Sequence, residues 1–136
     1  MNLSAETRLR VRYAETDQMG VVYYSNYLVW MEIGRVELCK TLGFNYREME
    51  REDGILLAVA ESHCRYHAPA RFDDEIVVTT RVEQAHPRMV TFGYEMLLAE
   101  DRRKLASGYT RHIILNRAFE RTRLPRKYFA MFGLSG

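Results

Sequence analysis

The chain has few cysteines and prolines: two cysteines, Cys39 and Cys64, and three prolines occur among its 136 residues. One thiol lies in a helical pattern and the other in a strand pattern, so we expect two small, buried or half-buried side chains and no disulfide framework. No run approaches the ~20 apolar residues of a membrane span, and no basic start followed by a long apolar run marks a secretory leader. We therefore expect a soluble, cytoplasmic protein without a membrane span.

Net charge is also low, at +2, but it is unevenly distributed. Residues 101–136 contain nine Lys or Arg and only two acids, Asp101 and Glu120. Such a basic region is either a solvated surface or a binding surface for a phosphorylated ligand. No nucleic-acid recognition motif is present, so we do not expect a nucleic-acid partner.

The first half of the chain predicts one strand followed by one long helix. Apolar and basic residues alternate over residues 8–13, which is typical of a half-buried strand. After a turn at residues 17–20, a helical period runs from about Tyr24 to Leu42, and Gly43 ends it. We expect Gly34 to allow close packing of a sheet on this helix. The predicted apolar stripe consists of Leu28, Met31, Leu38, Cys39 and Leu42, widened by Trp30 and Ile33.

The second half predicts strands at hairpin spacing. Asn45 and Glu48 resemble a capping box that opens a short helix ending near Glu52. Strands are expected at about 55–67, 75–85, 90–98 and 105–116, and a short tail helix after Pro125 reaches about Phe132. The clearest inward face is formed by Val90, Phe92, Tyr94, Met96 and Leu98. This order predicts an α+β fold in which a curved antiparallel sheet wraps around one long central helix.

Asp17 is the candidate for chemistry because it stands in a glycine-containing turn just before the long helix. The first N–H groups of a helix have no helical partner and carry partial positive charge. They could hold a carbonyl oxygen that gains negative charge while the carboxylate attacks the carbonyl carbon or activates a water. The alternative is an Asp that only bonds its own turn. The first arrangement suits acyl transfer or hydrolysis.

The ordered run from Asp17 to Tyr27 resembles a known family signature. Asp17-x-x-Gly20-Val21-Val22-Tyr23-Tyr24-x-Asn26-Tyr27 is similar to that of the 4-hydroxybenzoyl-CoA thioesterase family of hotdog-fold acyl-CoA thioesterases. The likeness continues in residues 66–74 and in Arg123-Leu124-Pro125. It implies a single hotdog domain over residues 1–136 that hydrolyses an acyl- or aryl-CoA without a cofactor. It also implies a homodimer or homotetramer with active sites at the subunit boundary.

The resemblance also assigns roles to residues. Asp17 would be the catalytic carboxylate, either as nucleophile or as general base, and the Tyr24 N–H would polarise the thioester carbonyl. Many relatives have a histidine where Tyr24 stands, so a role for its side chain is left open. Substrate-binding candidates around them are Gly20, Val22, Tyr23 and Tyr27, of which the two tyrosines either line an acyl pocket or fill core.

Three arginines are candidates for the coenzyme A phosphates: Arg65, Arg88 and Arg103. Each has the alternative of being a solvated surface side chain. Two other functions share the fold: hydrolysis of acyl-acyl carrier protein, docked by the basic tail, and acyl-CoA binding without catalysis. An intact Asp17 argues against the second, because a binding module has no need of that carboxylate.

Two glutamates and two histidines are alternatives to Asp17 as functional residues. Glu32 and Glu37 lie on the long helix, where a distinct hotdog group carries its catalytic glutamate, but Glu37 is expected to pair with a neighbouring cation. His63 and His67 would be roughly 13 Å apart on a regular strand. Two ligands of one zinc must each lie about 2 Å from it, so no metal site is expected.

Overall fold

The computed structural model describes residues 3–135, so residues 1–2 and 136 of the expected domain lie outside the described part. One antiparallel sheet contains five strands in the order β1-β3-β4-β5-β2. The elements are β1 (Ser4–Arg10), α1 (Asn26–Leu42), α2 (Tyr46–Asp53), β2 (Leu56–Tyr66), β3 (Glu75–His86), β4 (Met89–Leu98) and β5 (Lys104–Leu115). The expected α+β arrangement, a curved antiparallel sheet with one long helix, is confirmed.

Strand β2 lies at an edge of the sheet and not beside β3. It pairs with β5, from Leu56 opposite Leu115 to Tyr66 opposite Ala106. Residues 67–74 then carry the chain across the sheet to β3, which pairs with β1. The expectation of successive hairpins is therefore confirmed for β3–β4–β5 and wrong for β2, because this crossing connection replaces a turn.

Helix α1 packs on the inner face of the sheet with one side only. Trp30 and Met31 are fully buried, and each large apolar side chain contributes roughly 1.5–3 kcal/mol by leaving water. A Cβ on Gly34 would overlap Thr80 Oγ1 and lie 2.8 Å from Val78 Cγ1, so the expected close approach is confirmed. Leu28 and Ile33, however, are 39% and 38% exposed. Their assignment to the buried stripe was wrong: Ile33 points away from the sheet, and Leu28 lies at the solvent-exposed margin of the buried face, at the N-terminal end of α1.

The other sequence-predicted features are mostly confirmed. All five residues of the inward face of β4 are buried. Asn45 caps α2, since its side chain accepts hydrogen bonds from Arg47 N and Glu48 N, and Gly54 ends the helix at a φ of 66°.

No helix within residues 3–135 is both long and apolar enough to cross a membrane.

Three boundaries differ from the prediction. Strand β1 ends at Arg10, and residues 13–15 form a 3-10 turn that leaves Tyr13 76% exposed. The Glu15 carboxylate accepts Arg12 N–H at 2.8 Å and thereby turns the chain away from the sheet. Helix α1 begins at Asn26 and not at Tyr24. The tail forms two 3-10 turns, Arg126–Tyr128 and Ala130–Phe132, instead of one α-helix.

Candidate active site

The Asp17 turn is tied by its own hydrogen bonds. Asp17 N–H donates to Val21 O at 2.9 Å, and Gly20 N–H donates to Asp17 O at 3.0 Å. Gly20 has a φ of +80°, a conformation that glycine adopts without a Cβ penalty. Oδ1 of Asp17 accepts Met19 N–H at 2.9 Å, while its other carboxylate oxygen accepts no hydrogen bond from residues 3–135. Asp17 thus caps its turn with one oxygen and keeps the other available.

Buried Glu15 fixes this turn relative to α1. Its carboxylate accepts the indole N–H of Trp30 at 3.0 Å, and its backbone oxygen accepts Tyr23 N–H and the Asn26 side-chain amide at 2.9 Å each. Burial raises the pKa of this carboxyl, but hydrogen bonds from the Arg12 backbone and the Trp30 indole outweigh burial, so the net pKa lies below its usual value. Glu15 is therefore an anionic anchor between the turn and the helix.

Tyr24 contributes a backbone N–H that has no acceptor within residues 3–135. The preceding carbonyl, Tyr23 O, accepts Asn26 N–H at 3.0 Å and so points into the first turn of α1. In a planar trans peptide the N–H points opposite to the carbonyl. The Tyr24 N–H is consequently directed away from the helix, where a ligand oxygen could accept it.

Asp17 and Tyr24 border the same cleft, which has a volume of about 570 Å³. Its walls are the motif residues Val22, Tyr23 and Tyr27 on one side and residues 66–69 on the other. Val22 N–H donates to Ala70 O at 2.8 Å and joins the two walls. The cleft is predominantly apolar with one carboxylate at its edge, a composition that suits an acyl group beside a reactive centre.

Four tyrosines form the aromatic part of the cleft. Ring centroids lie 4.7 Å apart for Tyr23 and Tyr24 and 5.1 Å apart for Tyr27 and Tyr66. The Tyr66 hydroxyl donates to Tyr24 O at 3.2 Å. Burial, and then a hydrogen bond with Cys64, raises the pKa of Tyr66 to about 12, so the phenol keeps its proton. Tyr66 therefore holds the peptide that follows the free N–H of Tyr24.

The pKa of Tyr23 reflects its neighbours in the cleft. A hydrogen bond with the Tyr24 phenol and the charge of ionised Tyr24 raise this pKa most, and burial and the charge of the Asp17 carboxylate raise it further. These groups consequently share one electrostatic environment at the mouth of α1.

Comparison with known proteins identifies the family. A family model described as "Thioesterase-like superfamily" matches residues 11–127. The chain belongs to this superfamily. It is 44% identical over 92 residues to YneP of Bacillus subtilis, which is provisionally assigned as an acyl-CoA thioesterase; the match covers 68% of this chain and 66% of YneP, just under two thirds of its length.

Solved structures agree with the fold of this thioesterase-like chain. A DHNA-CoA thioesterase from Staphylococcus aureus is 32% identical with a TM-score of 0.87, covering 92% of this chain and 83% of that protein. A mutant 4-hydroxybenzoyl CoA thioesterase in complex with 4-hydroxybenzoyl CoA gives a TM-score of 0.87 at 16% identity, covering 96% and 99% of the two chains. The second match shows the fold alone, and it is the hotdog fold that the sequence predicted.

A second cleft of about 680 Å³ opens on the other side of Asp17 in this thioesterase-like chain. Gly20 borders this second cleft together with Tyr13 and Phe72, whose rings meet edge to face at 5.3 Å. Gly20 therefore borders this second cleft, whereas Tyr23 and Tyr24 border the first, and Asp17 borders both.

The predicted phosphate-binding arginines do not border the Asp17 cleft. Arg65 is exposed on β2 opposite Ser107, and its neighbour Tyr66 points to the other face of the sheet. Arg88 lies in the β3–β4 turn and Arg103 in the β4–β5 turn, both exposed. The three remain predictions for a ligand that extends beyond the cleft.

The alternative acids and the two histidines considered for a metal site lie outside the Asp17 cleft, except His67, which lines it. Glu37 pairs with Lys40 at 3.4 Å, and Glu32 borders a different cleft. His63 stacks on Tyr109, whereas His67 contacts Ser107 Oγ at 2.9 Å. Within residues 3–135 no three His, Cys, Asp or Glu side chains are grouped as metal ligands would be.

Two site features escaped the sequence analysis. Tyr66 belongs to the segment 66–74 that resembles the family, and this likeness is the sequence signal for its place in the site, although its contact with Tyr24 O was not predicted. Glu15 gave no signal because its importance depends on burial beside Trp30, which is fifteen residues away in the chain.

Proposed function

We propose that the protein hydrolyses an acyl-CoA thioester to the free acid and coenzyme A at the cleft between Asp17 and Tyr24. The observation that carries this proposal is the pairing of a carboxylate oxygen without a hydrogen-bond partner and a backbone N–H without an acceptor on one apolar cleft. Membership of the thioesterase-like superfamily supports the reaction class.

Two routes use this pairing. In the first, an Asp17 oxygen bonds to the thioester carbon, the C–S bond breaks, the thiolate takes a proton, and water then hydrolyses the mixed anhydride. In the second, Asp17 takes a proton from water, and the resulting hydroxide adds to the carbon before the C–S bond breaks. Both routes place negative charge on the carbonyl oxygen, which would accept the Tyr24 N–H.

The acyl group fits the tyrosine-lined cleft by size and polarity. A volume of about 570 Å³ accommodates an aryl or medium-length acyl chain. The Staphylococcus aureus relative, which acts on DHNA-CoA by its name, supports including aryl-CoA substrates. Tyr23 and Tyr27 would contact the acyl group, and Arg65, Arg88 or Arg103 would contact the nucleotide phosphates outside the cleft.

A hydrolysis screen tests the proposal. Free thiol release is measured with aryl, short, medium and long acyl-CoA esters and with an acyl-acyl carrier protein. We expect turnover of at least one acyl-CoA and a loss of at least ~100-fold in Asp17→Asn, the scale expected on removing a nucleophile or base.

Asp101→Asn is a matched control for this variant. Asp101 Oδ1 accepts Arg103 N–H at 3.0 Å, the same two-residue turn contact that Asp17 makes with Met19, but it lies outside the cleft. Asp101→Asn should therefore keep normal rates. Near-normal turnover by Asp17→Asn would contradict the mechanism, and tight binding of acyl-CoA without turnover by the natural chain would favour a binding module.

We also propose that the protein forms a homodimer through the β2 edge. One side of β2 has no strand partner within residues 3–135, and Val59 on it is 54% exposed. Unpaired edge strands are usually covered or paired. Leu28, Val29 and Ile33 on α1 are further exposed apolar side chains that a partner subunit would cover. A mass of one chain by light scattering at micromolar concentration would contradict the dimer.

A further inference from the structure

A third cleft, distant from Asp17, is bordered by a buried arginine. The cleft lies between α1 and α2, has a volume of about 640 Å³, and is bordered by Arg35. Arg35 is eleven residues beyond Tyr24, so the two are roughly 16 Å apart along the helix direction. The reactive centre proposed above therefore does not use this cleft.

Arg35 has no negatively charged partner. Only 8% of the residue is exposed, yet no carboxylate within residues 3–135 lies within 4.0 Å of its nitrogens. Its guanidinium donates to the Tyr94 hydroxyl at 3.1 Å, and its Nε has no hydrogen-bond partner. Burial lowers the pKa of Arg35, but the phenols of Tyr94 and Tyr46 lie close enough to raise it above its usual value. Burying a cation without a counter-ion costs several kcal/mol.

A relay of neutral groups offsets part of this cost. His112 Nδ1 lies 3.1 Å from Leu57 O, which only accepts, so Nδ1 carries the hydrogen. Burial, and then the charge of Arg35, lowers the pKa of His112 to about 4, so Nε2 is an acceptor at neutral pH. Nε2 therefore accepts from Thr110 Oγ1 at 2.8 Å, and Thr110 accepts from Tyr94 at 2.6 Å.

In this relay the O–H bonds of Tyr94 and Thr110 both point away from Arg35, so the oxygen of Tyr94 faces the guanidinium. They stabilise the guanidinium, but no member carries a negative charge. The buried cation is consequently still without a counter-ion, and the open cleft beside it is the route by which one could arrive.

The charges on the cleft walls favour a singly charged ligand. Arg35, Lys40 and Arg47 face Glu32 and Glu50, which leaves one net positive charge, although Lys40 is shared with Glu37. One carboxylate would neutralise this charge. A phosphate carries a charge of about −1.5 to −2, so it would leave the cleft with an excess negative charge that Glu32 and Glu50 would repel. Two apolar residues, Val36 and Leu57, complete the lining and suit an organic tail.

We infer that the cleft at Arg35 binds a small organic monocarboxylate, whose anionic end pairs with the Arg35 guanidinium. Planar guanidinium and carboxylate groups match in geometry, and such charge-assisted hydrogen bonds are the strong ones in proteins. The Tyr46 phenol, which lines the same cleft as Arg35, would border the same carboxylate. This site does not depend on the proposed hydrolysis.

Calorimetric titration with benzoate tests the inference, with neutral benzamide and inorganic phosphate as comparison ligands. We expect saturable benzoate binding that is at least about 10-fold tighter than that of either comparison ligand. Arg35→Met should abolish it, and Arg35→Lys should retain part of it. Tyr23→Ala, at the other cleft, should bind benzoate normally.

Arg35 is buried, so a second variant is needed in case Arg35→Met does not fold. Arg47→Gln changes an exposed residue at the rim and should weaken benzoate binding, while amide resonances of Tyr46 and Leu57 should shift in the natural protein on benzoate addition. The inference is overturned by absent saturation, by equal affinity for benzamide, or by binding that is lost in Tyr23→Ala and unchanged in Arg47→Gln.

Discussion

Replacing Glu15 with alanine should destabilise the fold by about 2–4 kcal/mol. The variant loses the acceptor of Arg12 N–H at 2.8 Å and of the Trp30 indole N–H at 3.0 Å. Trp30 is fully buried, so its N–H would be left unsatisfied at a cost of about 1–3 kcal/mol. The lost backbone hydrogen bond to a charged acceptor adds about 1.5–3 kcal/mol, and removal of the buried carboxylate returns part of this sum because its desolvation cost is also removed.

The ion pair between Glu15 and Arg12 adds little to this sum. The Arg12 side chain is 74% exposed, and exposed pairs contribute about 0–1 kcal/mol. Arg12→Ala therefore serves as the matched control, with an expected change below about 1 kcal/mol. The loss in the free energy of unfolding for Glu15→Gln should fall between those of the two alanine variants. The amide oxygen can accept a hydrogen bond from one donor, whereas the NH₂ group would face the other donor without accepting from it.

Urea unfolding monitored by the fluorescence of Trp30, the single tryptophan of the chain, measures all three variants. The Glu15 pKa is depressed in the folded state, so its contribution is complete above the unfolded pKa of about 4.3 and is lost as pH falls through the folded value. The difference between Glu15→Ala and the natural chain should shrink in that acidic range. A free energy of unfolding for Glu15→Ala within 0.5 kcal/mol of the natural value at pH 7, on the scale of an ordinary surface substitution, would refute the reasoning.

Three further predictions concern packing, pH and the oxyanion donor. Gly34→Ala should cost about 1–3 kcal/mol in urea unfolding because the new Cβ would overlap Thr80 Oγ1; an unchanged midpoint would contradict the close packing. Neutral His112 should stabilise the fold above pH ~6.5, and up to about 3 kcal/mol should be lost as pH falls towards 4; an identical pH slope in His112→Gln would contradict this. Tyr24→Pro, which removes the N–H, should lower kcat by about 10²–10³ while Tyr24→Phe keeps it; equal rates in both variants, with circular dichroism confirming folding, would exclude the Tyr24 N–H as donor.

Local patterns were sufficient to predict most of the fold. The Asn45 cap, the inward face of β4 and the close approach at Gly34 each depend on neighbours in sequence or on a simple period. Leu28 and Ile33 were misassigned because hydrophobicity alone does not show which side of an apolar helix meets the sheet. The position of β2 at an edge escaped prediction because strand order depends on long-range pairing.

The candidate site divides in the same way. Asp17 and Tyr24 were found because they belong to one contiguous motif. Glu15 and Arg35 were not, because their properties arise from burial and from partners up to 59 residues away. Sequence spacing does not report desolvation, which is the physical factor that makes both charges important.

A crystal structure of Asp17→Asn with a non-hydrolysable ketone analogue of an acyl-CoA tests the central claim most directly. The proposed chemistry predicts the ketone oxygen within ~3.2 Å of Tyr24 N, with the side chain at position 17 facing the carbonyl carbon. An acyl group bound elsewhere in every subunit, or a carbonyl that contacts neither Tyr24 N nor residue 17, would contradict it.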